Sequence, residues 1–229
     1  MNRTALVGIT LVIWSLSPGI ALVAGAETGA DKPSSETNYR DKGDFESSQK
    51  EDLAYSKQKQ LNVGDAAPDI KLTPFDADLA PSEGNLLSQV EDKPVVLIFG
   101  SATCGLTADK APELRRLHKI YKDQADFAFV YMKDAHPSGK TVLVGQEQVL
   151  LDQPRTMDHR LKLTQHLLNR THFKMPVYVD DMQGSSRKSY GSFHLAAYII
   201  DADRKLAFVS KYKYDTKDIE SGLRAVLDK

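Results

Sequence analysis

The sequence predicts an α/β fold, in which helices pack against a mixed β-sheet, and three observations support this fold class. Continuous apolar runs at 94–99 and 127–132 are typical of strands that are buried on both faces. A segment with helical spacing separates these two runs. Two further runs, at 196–200 and 206–209, are joined by turn residues and indicate an antiparallel pair. With 229 residues, 41% of them apolar, the chain is long enough to bury the core of one such domain.

The predicted elements follow one another in a regular order. After the first strand, Ala111, Leu114, Leu117 and Tyr121 form one apolar stripe of a helix that leads to the second strand. The later elements are an irregular stretch at 136–154, a helix at 157–169, a strand at 177–179, and the pair at 196–200 and 206–209. A last helix follows, with Asp215 or Thr216 as N-cap and with the apolar positions Ile219, Leu223, Val226 and Leu227. The order β-α-β-α-β-β-α is that of a thioredoxin-like three-layer sandwich with a mixed central sheet.

Three segments are expected along the chain. Residues 1–26 carry Arg3 ahead of an apolar run and end in Ala-Gly-Ala, which is the layout of a secretory signal peptide. An N-terminal membrane anchor is the alternative, because the apolar run approaches the roughly 20 residues that span a bilayer. Residues 27–60 are polar and nearly free of aliphatic side chains, so we predict a disordered tether ahead of a folded domain at 61–229. We therefore expect export to the periplasm or the cell exterior.

The composition excludes several classes of function. A net charge of −1, from 30 basic and 31 acidic residues, argues against a nucleic-acid-binding protein. Cys104 is the only cysteine, which excludes an intramolecular disulfide, a CxxC redox pair and a cysteine-rich zinc site. Since no set of histidines and carboxylates has metal-ligand spacing and no phosphate-binding loop is present, we expect no bound metal or cofactor.

Cys104 is the candidate nucleophile. It follows the first predicted strand and precedes the first helix, with glycine and small polar residues on both sides. At such a position, free backbone N–H groups and the positive end of the helix dipole stabilise the reactive thiolate. The alternative is a small buried hydrophobe without chemistry. Thr103, the neighbouring residue, is a candidate substrate contact.

Asp134 and His136 follow the second predicted strand and are candidate catalytic residues. Neighbouring parallel strands open at their carboxyl ends onto the same crevice, so both side chains should approach Cys104. An imidazole can donate a proton near neutral pH, and a carboxylate two residues away could orient it. A loop histidine bonded to a nearby carbonyl is the alternative for His136. His159, near the start of the second helix, could face the same crevice as a substrate contact.

Pro176 is a further candidate substrate contact, because Met175-Pro176 stands immediately before the third predicted strand. In this fold class such a position commonly holds a cis-proline whose loop faces the reactive cysteine. The sequence alone does not specify the isomer.

Several of these segments together resemble known families. The motif at 63–69 is similar to the opening motif of redoxin-type proteins with a thioredoxin fold. Four other segments resemble the iodothyronine deiodinase family, namely the lead-in at 99–104 and the stretches at 131–138, 175–182 and 189–191. The most specific of them is the Asp-Ala-His-Pro-Ser run at 134–138, and the resemblance extends from about Val63 to the C-terminus.

The resemblance to deiodinases implies a set of roles. In animal deiodinases the reactive position is a selenocysteine, and Cys104 falls at that position. The proton-donating histidine of the family and its acidic neighbour would correspond to His136 and Asp134, and a second histidine to His159. The implied reaction is reductive dehalogenation, in which the Cys104 thiolate attacks the halogen of an aromatic substrate while His136, held by Asp134, protonates the ring carbon. An external thiol reductant would then restore Cys104.

Three departures from the family pattern bear on this reaction. Ala102 stands where the family often has a second cysteine, so no resolving thiol is nearby. Sulfur in place of selenium should slow the chemistry, because a thiol has a higher pKa and is a worse leaving group. A basic residue that grips the substrate in the family would fall near Ala196 and is missing.

Two alternative functions remain open at the level of sequence. One is a one-Cys redoxin that acts on peroxides or in thiol exchange, with Cys104 oxidised to a sulfenic acid. The other is a non-enzymatic thioredoxin-fold binding protein. The expected partners are a small-molecule substrate, with halogenated aromatics among the candidates, and a thiol reductant, but no nucleic acid. A homodimer is neither predicted nor excluded.

Overall fold

The central sheet is mixed, as the sequence predicts. The structure, a computed structural model, describes residues 50, 53–54, 57, 60–75, 84–192, 195–210 and 213–228. Its strands are β1 (Lys71–Pro74), β2 (Gly84–Asn85), β3 (Val95–Gly100), β4 (Asp126–Tyr131), β5 (Lys140–Val144), β6 (Glu147–Leu151), β7 (Val177–Val179), β8 (Ala196–Ile200) and β9 (Leu206–Val209). Its helices are α1 (Gly105–Tyr121), α2 (Met157–Thr171), α3 (Ser185–Ser189) and α4 (Thr216–Leu227), with a 3₁₀-helix at Leu86–Gln89.

Seven strands form the main sheet in the order β2-β1-β7-β4-β3-β8-β9. Strand β4 runs parallel to both β3 and β7, whereas β8 is antiparallel to β3 and to β9. This confirms the predicted parallel pair and the predicted antiparallel edge. Because Gly100 at the end of β3 is paired with Tyr131 at the end of β4, the loops that follow these two strands leave the sheet side by side.

Both faces of the sheet are buried, which explains the continuous apolar runs in the sequence. Val96 and Ile98 of β3 face a core that also contains apolar residues of α1, α2 and α4. Leu97 and Phe99 face the opposite core, which is closed by the segment before β3 and by Tyr190 after α3. The helical layer on this second face is therefore thin, a 3₁₀-helix and one short α-helix.

The stretch at 136–154 is not irregular, which corrects the sequence prediction. Strands β5 and β6 form a separate antiparallel hairpin within it. Gly145 has a φ of 61° and makes the tight turn between the two strands. The pairing was hidden in the sequence because most side chains of β5 are exposed or half-buried, so that no buried run marks the strand. Strands β1 and β2, the 3₁₀-helix and α3 were also not predicted.

Two of the predicted segments lie largely or wholly outside the described residues. The signal peptide at 1–26 lies entirely outside them. Of the tether at 27–60, the structure describes Lys50, Leu53, Ala54 and Lys57, which are helical, and Gln60. Within the described part of the chain, no helix is both long and apolar enough to cross a membrane.

Candidate active site

Cys104 stands at the N-cap of α1, in the loop that leaves the carboxyl end of β3. Its carbonyl accepts a hydrogen bond of 3.0 Å from the N–H of Thr107, which begins the helix. The loop starts at Gly100, where a Cβ would lie 2.7 Å from Phe129 Cζ and 2.9 Å from Thr107 Oγ1, so only glycine lets the helix approach the sheet this closely. The predicted position at a helix N-terminus is thus present.

Cys104 is buried rather than open at the mouth of a crevice. Its exposed fraction is only 3%, and it belongs to the core that contains Ala102 and Tyr131. The reason is local, because the loop folds down onto the end of β4 and is held there by hydrogen bonds. A reagent or substrate therefore reaches the sulfur only when the residues over it move.

Asp134 is the anchor of the cysteine loop. One of its carboxylate oxygens accepts hydrogen bonds from the Thr103 backbone N–H at 3.1 Å and from the Thr103 hydroxyl at 2.9 Å. The other oxygen accepts a bond of 2.6 Å from the Tyr131 hydroxyl. The carboxylate is fully buried and thus ties residue 103 to the end of β4. The hydrogen bonds described at its carboxylate come from Thr103 and Tyr131, and the expectation that Asp134 also orients the His136 imidazole stays a prediction.

Two further hydrogen bonds join the loops that follow β3 and β4, and a third joins the second of these loops to the segment after β6. The Ala135 N–H donates to Ser101 Oγ at 3.2 Å, and the His136 N–H donates to Thr103 Oγ1 at 3.1 Å. The side-chain amide of Gln153 donates to the carbonyl oxygen of Asp134. Because donors and acceptors alternate between the two loops, a displacement of one loop breaks several bonds at once.

Burial sets the electrostatics of this anchor. Burial raises the pKa of the Asp134 carboxyl, and hydrogen bonds from Tyr131 and Thr103, together with the charge of Arg160, oppose this increase. Burial also raises the pKa of Tyr131, and the adjacent Asp134 carboxylate adds to the increase. The Tyr131 hydroxyl therefore stays protonated and acts as a donor over the whole neutral range.

His136 lies beside the cysteine loop but at its exposed rim. Its backbone is joined to Thr103, the residue before Cys104, and the residue as a whole is solvent-exposed. The structure therefore brings His136 and Cys104 to the same end of the sheet, as the strand order predicts. Thr103 is half-buried, and its hydroxyl is occupied by Asp134 and by the His136 N–H.

The structure gives His159 a contact that was not predicted and places Pro176 differently from expectation. The His159 ring nitrogen Nε2 lies 2.7 Å from the carbonyl oxygen of Leu150, so this histidine joins α2 to the hairpin strand β6. Pro176 lines a cavity with Val95 and Asp126, the first residues of β3 and β4, and so lies at the opposite edge of the sheet from Cys104. No cis peptide bond occurs among the described residues, and Met175-Pro176 is accordingly trans.

The physical reason for the different position of Pro176 is the direction of the strand it precedes. Strand β7 is parallel to β4, so its first residues lie toward the amino ends of the parallel strands. The strand that enters the sheet from the cysteine end is the antiparallel β8, which the chain reaches through Leu195. Sequence reasoning placed the proline before a central strand without knowing that strand's direction.

Sequence reasoning missed three residues that act on this site, two through hydrogen bonds and Arg160 through its charge. Tyr131 donates to Asp134, and its signal was a tyrosine at the end of a buried strand, where the hydroxyl needs a partner. Arg160 is buried, and its signal was a charge on the same helical stripe as Leu163 and Leu167. Arg170, at the end of α2, donates to the carbonyl oxygen of Ala102 at 3.4 Å, and no sequence signal pointed to that contact.

Within the described residues, no group of three or more histidine, cysteine or acidic side chains is arranged to hold a metal ion. The chemistry that the described arrangement supports is that of a single sulfur at a helix N-terminus, with a carboxylate-anchored loop and a nearby imidazole.

A family model and individual relatives both match this chain to iodothyronine deiodinases. The model of a family described as iodothyronine deiodinase matches residues 45–229. The type II iodothyronine deiodinase of Fundulus heteroclitus is 28% identical over 141 residues, which cover 58% of this chain and 52% of that protein. The thyroxine 5-deiodinase of Gallus gallus is 28% identical over 147 residues, which cover 64% of this chain and 55% of that protein. The chain thus spans about half the length of the curated relatives it matches.

Solved structures support the fold. The thioredoxin domain of a thiol-disulfide oxidoreductase from Bacteroides vulgatus aligns with a TM-score of 0.53 at 13% identity, covering 73% of this chain and 99% of that one. The peroxidoxin BcpB of Mycobacterium tuberculosis aligns with a TM-score of 0.51 at 19% identity, covering 74% of this chain and 97% of that one. The predicted thioredoxin-like fold is therefore confirmed.

Proposed function

Because this chain belongs to the iodothyronine deiodinase family, we propose that it is a thiol-dependent oxidoreductase that removes halide reductively from an aromatic substrate, with Cys104 as the nucleophile. The observation that carries this proposal is the position of the sulfur. Cys104 stands at the N-terminus of α1, in a loop that Asp134 fixes to the neighbouring strand. A long-range anchor of this kind is what a nucleophile needs if its position is to be held within a fraction of an ångström.

The first step forms a sulfur–iodine bond. The Cys104 thiolate attacks the iodine of an iodinated ring, the carbon–iodine bond breaks, and its electron pair stays on the ring carbon. The carbon takes a proton from the His136 imidazolium, so that the products are the dehalogenated ring and a Cys104 sulfenyl iodide. His136 lies at the exposed rim, where a neutral-pH proton donor can exchange with solvent.

The second step needs an external thiol reductant, because the chain contains no other cysteine, and a dithiol supplies both of the thiols that the step uses. One thiolate of the reductant attacks the Cys104 sulfur and displaces iodide, which leaves a mixed disulfide. The second thiol of the reductant then forms its own disulfide and releases the Cys104 thiolate. The reductant loses two protons, of which one returns to His136 and the other enters solution.

Asp134 contributes to this reaction by holding Thr103, and therefore the residue that follows it, in place. It is a positioning residue, since its carboxylate acts through the loop rather than on the substrate. The same bonds make Thr103 a poor direct substrate contact, because its hydroxyl already donates to Asp134 and accepts from His136.

Iodide release tests the proposal. The purified protein is incubated with an iodothyronine or an iodotyrosine and an excess of dithiol, and free iodide is measured across a range of pH. We expect release by the wild type, none by Cys104→Ser, and a large loss in His136→Ala. His118→Ala, which changes a half-buried histidine of α1 that lines the cavity at the opposite edge of the sheet, is the matched control and should retain the wild-type rate. Absence of iodide release by the wild type at every pH would overturn the proposal.

Peroxide reduction is a second candidate, and Arg170 is the observation that favours it. Its guanidinium reaches the loop at Ala102, where a cation could hold a peroxide oxygen. The Thr103 hydroxyl argues against this chemistry, because its one hydrogen is already donated to Asp134 and cannot also be donated to the peroxide. Labelling of the peroxide-treated protein by dimedone at Cys104, without iodide release in the first experiment, would favour the peroxidase. A protein that gives neither reaction would be a binding module.

A further inference from the structure

Arg170 is a cation that lies against the cysteine loop and forms no ion pair with any carboxylate of the described residues. Its guanidinium donates through Nη1 to the carbonyl oxygen of Ala102 at 3.4 Å, and the residue is exposed to solvent. The exposed residues Arg116 and Arg224 differ, because both pair with the carboxylate of Glu220. A guanidinium carries several N–H donors, and the one bond described at Arg170 is long, so most of its hydrogen-bonding capacity is left for a ligand.

The contact with Ala102 places this cation beside the candidate nucleophile. The Cys104 N–H donates to the carbonyl of Ser101 at 3.4 Å, which closes residues 101–104 into a tight turn that contains Ala102. The guanidinium of Arg170 is therefore bonded to the same turn that carries the Cys104 sulfur. Because Arg170 is exposed, its remaining donors are open to a solute that approaches this turn.

Other titratable groups near this turn do not supply the same charge. The Asp134 carboxylate is buried, and it is bonded to Thr103 rather than to Arg170. His166 lies one turn before Arg170 on α2, and burial, followed by the charge of Arg170, lowers the pKa of its imidazole, which is therefore neutral at neutral pH. His136, at the exposed rim, is the proposed proton donor. Arg170 is thus the permanent positive charge whose contact with this turn is described.

We propose that Arg170 binds an anionic oxygen of the substrate and thereby selects acidic haloaromatic compounds, in which this oxygen belongs to a carboxylate or to a phenolate. A guanidinium forms charge-assisted hydrogen bonds with anionic oxygens, and with a carboxylate it can form two in parallel. An acidic group held beside the turn keeps the iodinated ring near the Cys104 sulfur. The substrate class rests on the proposed function, whereas the attraction of anions to the surroundings of Cys104 does not.

A purely structural role is the alternative for Arg170. It lies in the last turn of α2, where a cation is favourable beside the terminal carbonyl groups of a helix. Its bond to Ala102 also ties α2 to the cysteine loop. Such a role requires no affinity for an anion, so the attraction of anions to Cys104 is the property that distinguishes the two roles.

Two alkylating reagents of nearly equal size measure this attraction, and Cys104 is the only cysteine with which they can react. Iodoacetate is an anion and iodoacetamide is its neutral analogue. Both react with the thiolate, so the ratio of their rates is independent of the ionisation and the accessibility of the sulfur. In Arg170→Gln we expect the ratio of the iodoacetate rate to the iodoacetamide rate to fall about fivefold, the effect of one unit charge a few ångströms away in a medium close to water. Arg170→Lys keeps the charge and should retain most of the ratio.

Arg204→Gln is the matched control for the loss of a positive charge. Arg204 is exposed in the turn that joins β8 to β9, and this turn follows Ile200, which pairs with Val95 at the start of β3. It therefore lies at the opposite edge of the sheet from Cys104, and its loss should leave the ratio of rates unchanged. In the wild type, roughly 1 M salt, which shortens the screening length to about 3 Å, should lower the ratio toward that of Arg170→Gln. A ratio in Arg170→Gln equal to that of the wild type would overturn the inference.

Matched substrates test the acidic group. N-acetyl-iodotyrosine carries a carboxylate that its carboxamide lacks, and iodophenol can ionise whereas its methyl ether cannot. For iodide release, we expect the wild type to prefer the acidic member of at least one pair, by kcat/KM, about fivefold more strongly than Arg170→Gln does. A preference confined to the first pair identifies a carboxylate as the bound group, and one confined to the second identifies a phenolate. If Arg170→Gln retains the wild-type preference in both pairs, the proposed substrate class is wrong.

The two experiments separate this inference from the function proposed above. If the wild type releases no iodide from any substrate but its alkylation ratio depends on Arg170, the proposed function fails and the anion-binding role of Arg170 stands. If the wild type releases iodide and Arg170→Gln changes neither the alkylation ratio nor the preference for acidic substrates, only the role of Arg170 is overturned.

Discussion

Two buried aspartates at the same edge of the sheet bind different segments of the chain. Asp134 follows β4 and Asp180 follows β7, and these parallel strands are paired up to Tyr131 and Val179. Both carboxylates are almost completely buried, and burial raises the pKa of each. Both accept hydrogen bonds from backbone N–H groups, Asp134 from Thr103 and Asp180 from Ser186 at 2.9 Å and Arg187 at 3.2 Å.

The difference lies in how far along the chain each carboxylate reaches. Asp134 binds a residue 31 positions earlier, across the sheet, whereas Asp180 binds the turn that follows it, six and seven positions later. The first contact fixes the loop of Cys104, and the second fixes the start of the short helix α3. The same chemical group thus positions a candidate nucleophile at one place and shapes a local turn at the other.

Charge does not account for the difference, because one cation serves both sites. The buried guanidinium of Arg160 donates to the backbone carbonyls of Asp180 and Asp181. Burial lowers the pKa of Arg160, and the carboxylates of Asp180 and Asp134 are among the groups that counter this decrease. Sequence distance and the identity of the bound loop therefore distinguish the two aspartates.

The largest expected effect comes from removal of each carboxylate. Asp134→Ala and Asp180→Ala each leave buried N–H donors without acceptors, so we expect each to lower the free energy of unfolding by roughly 2–4 kcal/mol in urea denaturation. Only Asp134→Ala should also change the alkylation rate of Cys104, because only Asp134 holds its loop. An equal change of Cys104 reactivity in Asp180→Ala would mean that Arg160 couples the two sites into one unit.

A smaller effect is expected at Tyr131, which donates a hydrogen bond to Asp134. No tyrosine is among the partners of Asp180 described above. Tyr131→Phe removes the bond of 2.6 Å to Asp134, and we expect a loss of about 2 kcal/mol in the free energy of unfolding. The pKa of Asp134 should rise further, because a donor that stabilises the charged form is gone. Tyr190→Phe removes a neutral bond to the Pro68 carbonyl in the other core and is the control. Its loss should be about half as large, with unchanged Cys104 chemistry.

The sequence predicts those features of the two sites that depend on residues close together in the chain. Cys104 at the start of α1, and Asp134 and His136 after the next strand, follow from apolar runs and the rule that parallel strands open at one edge. The partners of Asp134 could not be predicted, because the bond to Thr103 depends on the register of β3 against β4 and on the path of both loops.

The different position of Pro176 has a similarly physical origin. Pro176 was assigned to the cysteine end because a proline before a strand of this fold class commonly faces the reactive cysteine, whereas β7 enters the sheet from the other edge. The place of His159 in the crevice stays a prediction, and the contact of its ring with the Leu150 carbonyl of the hairpin strand β6 was not predicted. Both contacts depend on elements that are distant in sequence, as the anchor at Asp134 does.

A matched pair of hydroxyl deletions should separate the two aspartates more finely. Thr103→Val and Ser186→Ala each remove a hydroxyl that bonds to a buried carboxylate. We expect each to lower the free energy of unfolding by about 1 kcal/mol. Thr103→Val should in addition slow the reaction of Cys104, since it also frees the His136 N–H, whereas Ser186→Ala should not. Equal reactivity of both variants and the wild type would show that the Thr103 hydroxyl is not needed to position the sulfur.

The most gradual effect is the pH dependence of stability. Because burial raises the pKa of Asp134 and Asp180 above the ordinary value of 3.8, the folded state holds these protons more tightly than the unfolded chain does. The wild type should therefore lose stability, relative to Asp134→Asn or Asp180→Asn, as the pH rises from about 3.8 through the folded-state pKa of the group. For each group the free energy of unfolding falls by at most about 1.4 kcal/mol per pH unit. Urea denaturation at a series of pH values measures this difference, and Ser185→Ala, which leaves both buried carboxylates in place, is the control. A wild type that gains stability over the asparagine variants in this window would mean that the hydrogen bonds and Arg160 outweigh burial. The two carboxylates would then be favoured as anions, and the cysteine loop would be held by a charge rather than by a neutral or weakly acidic group.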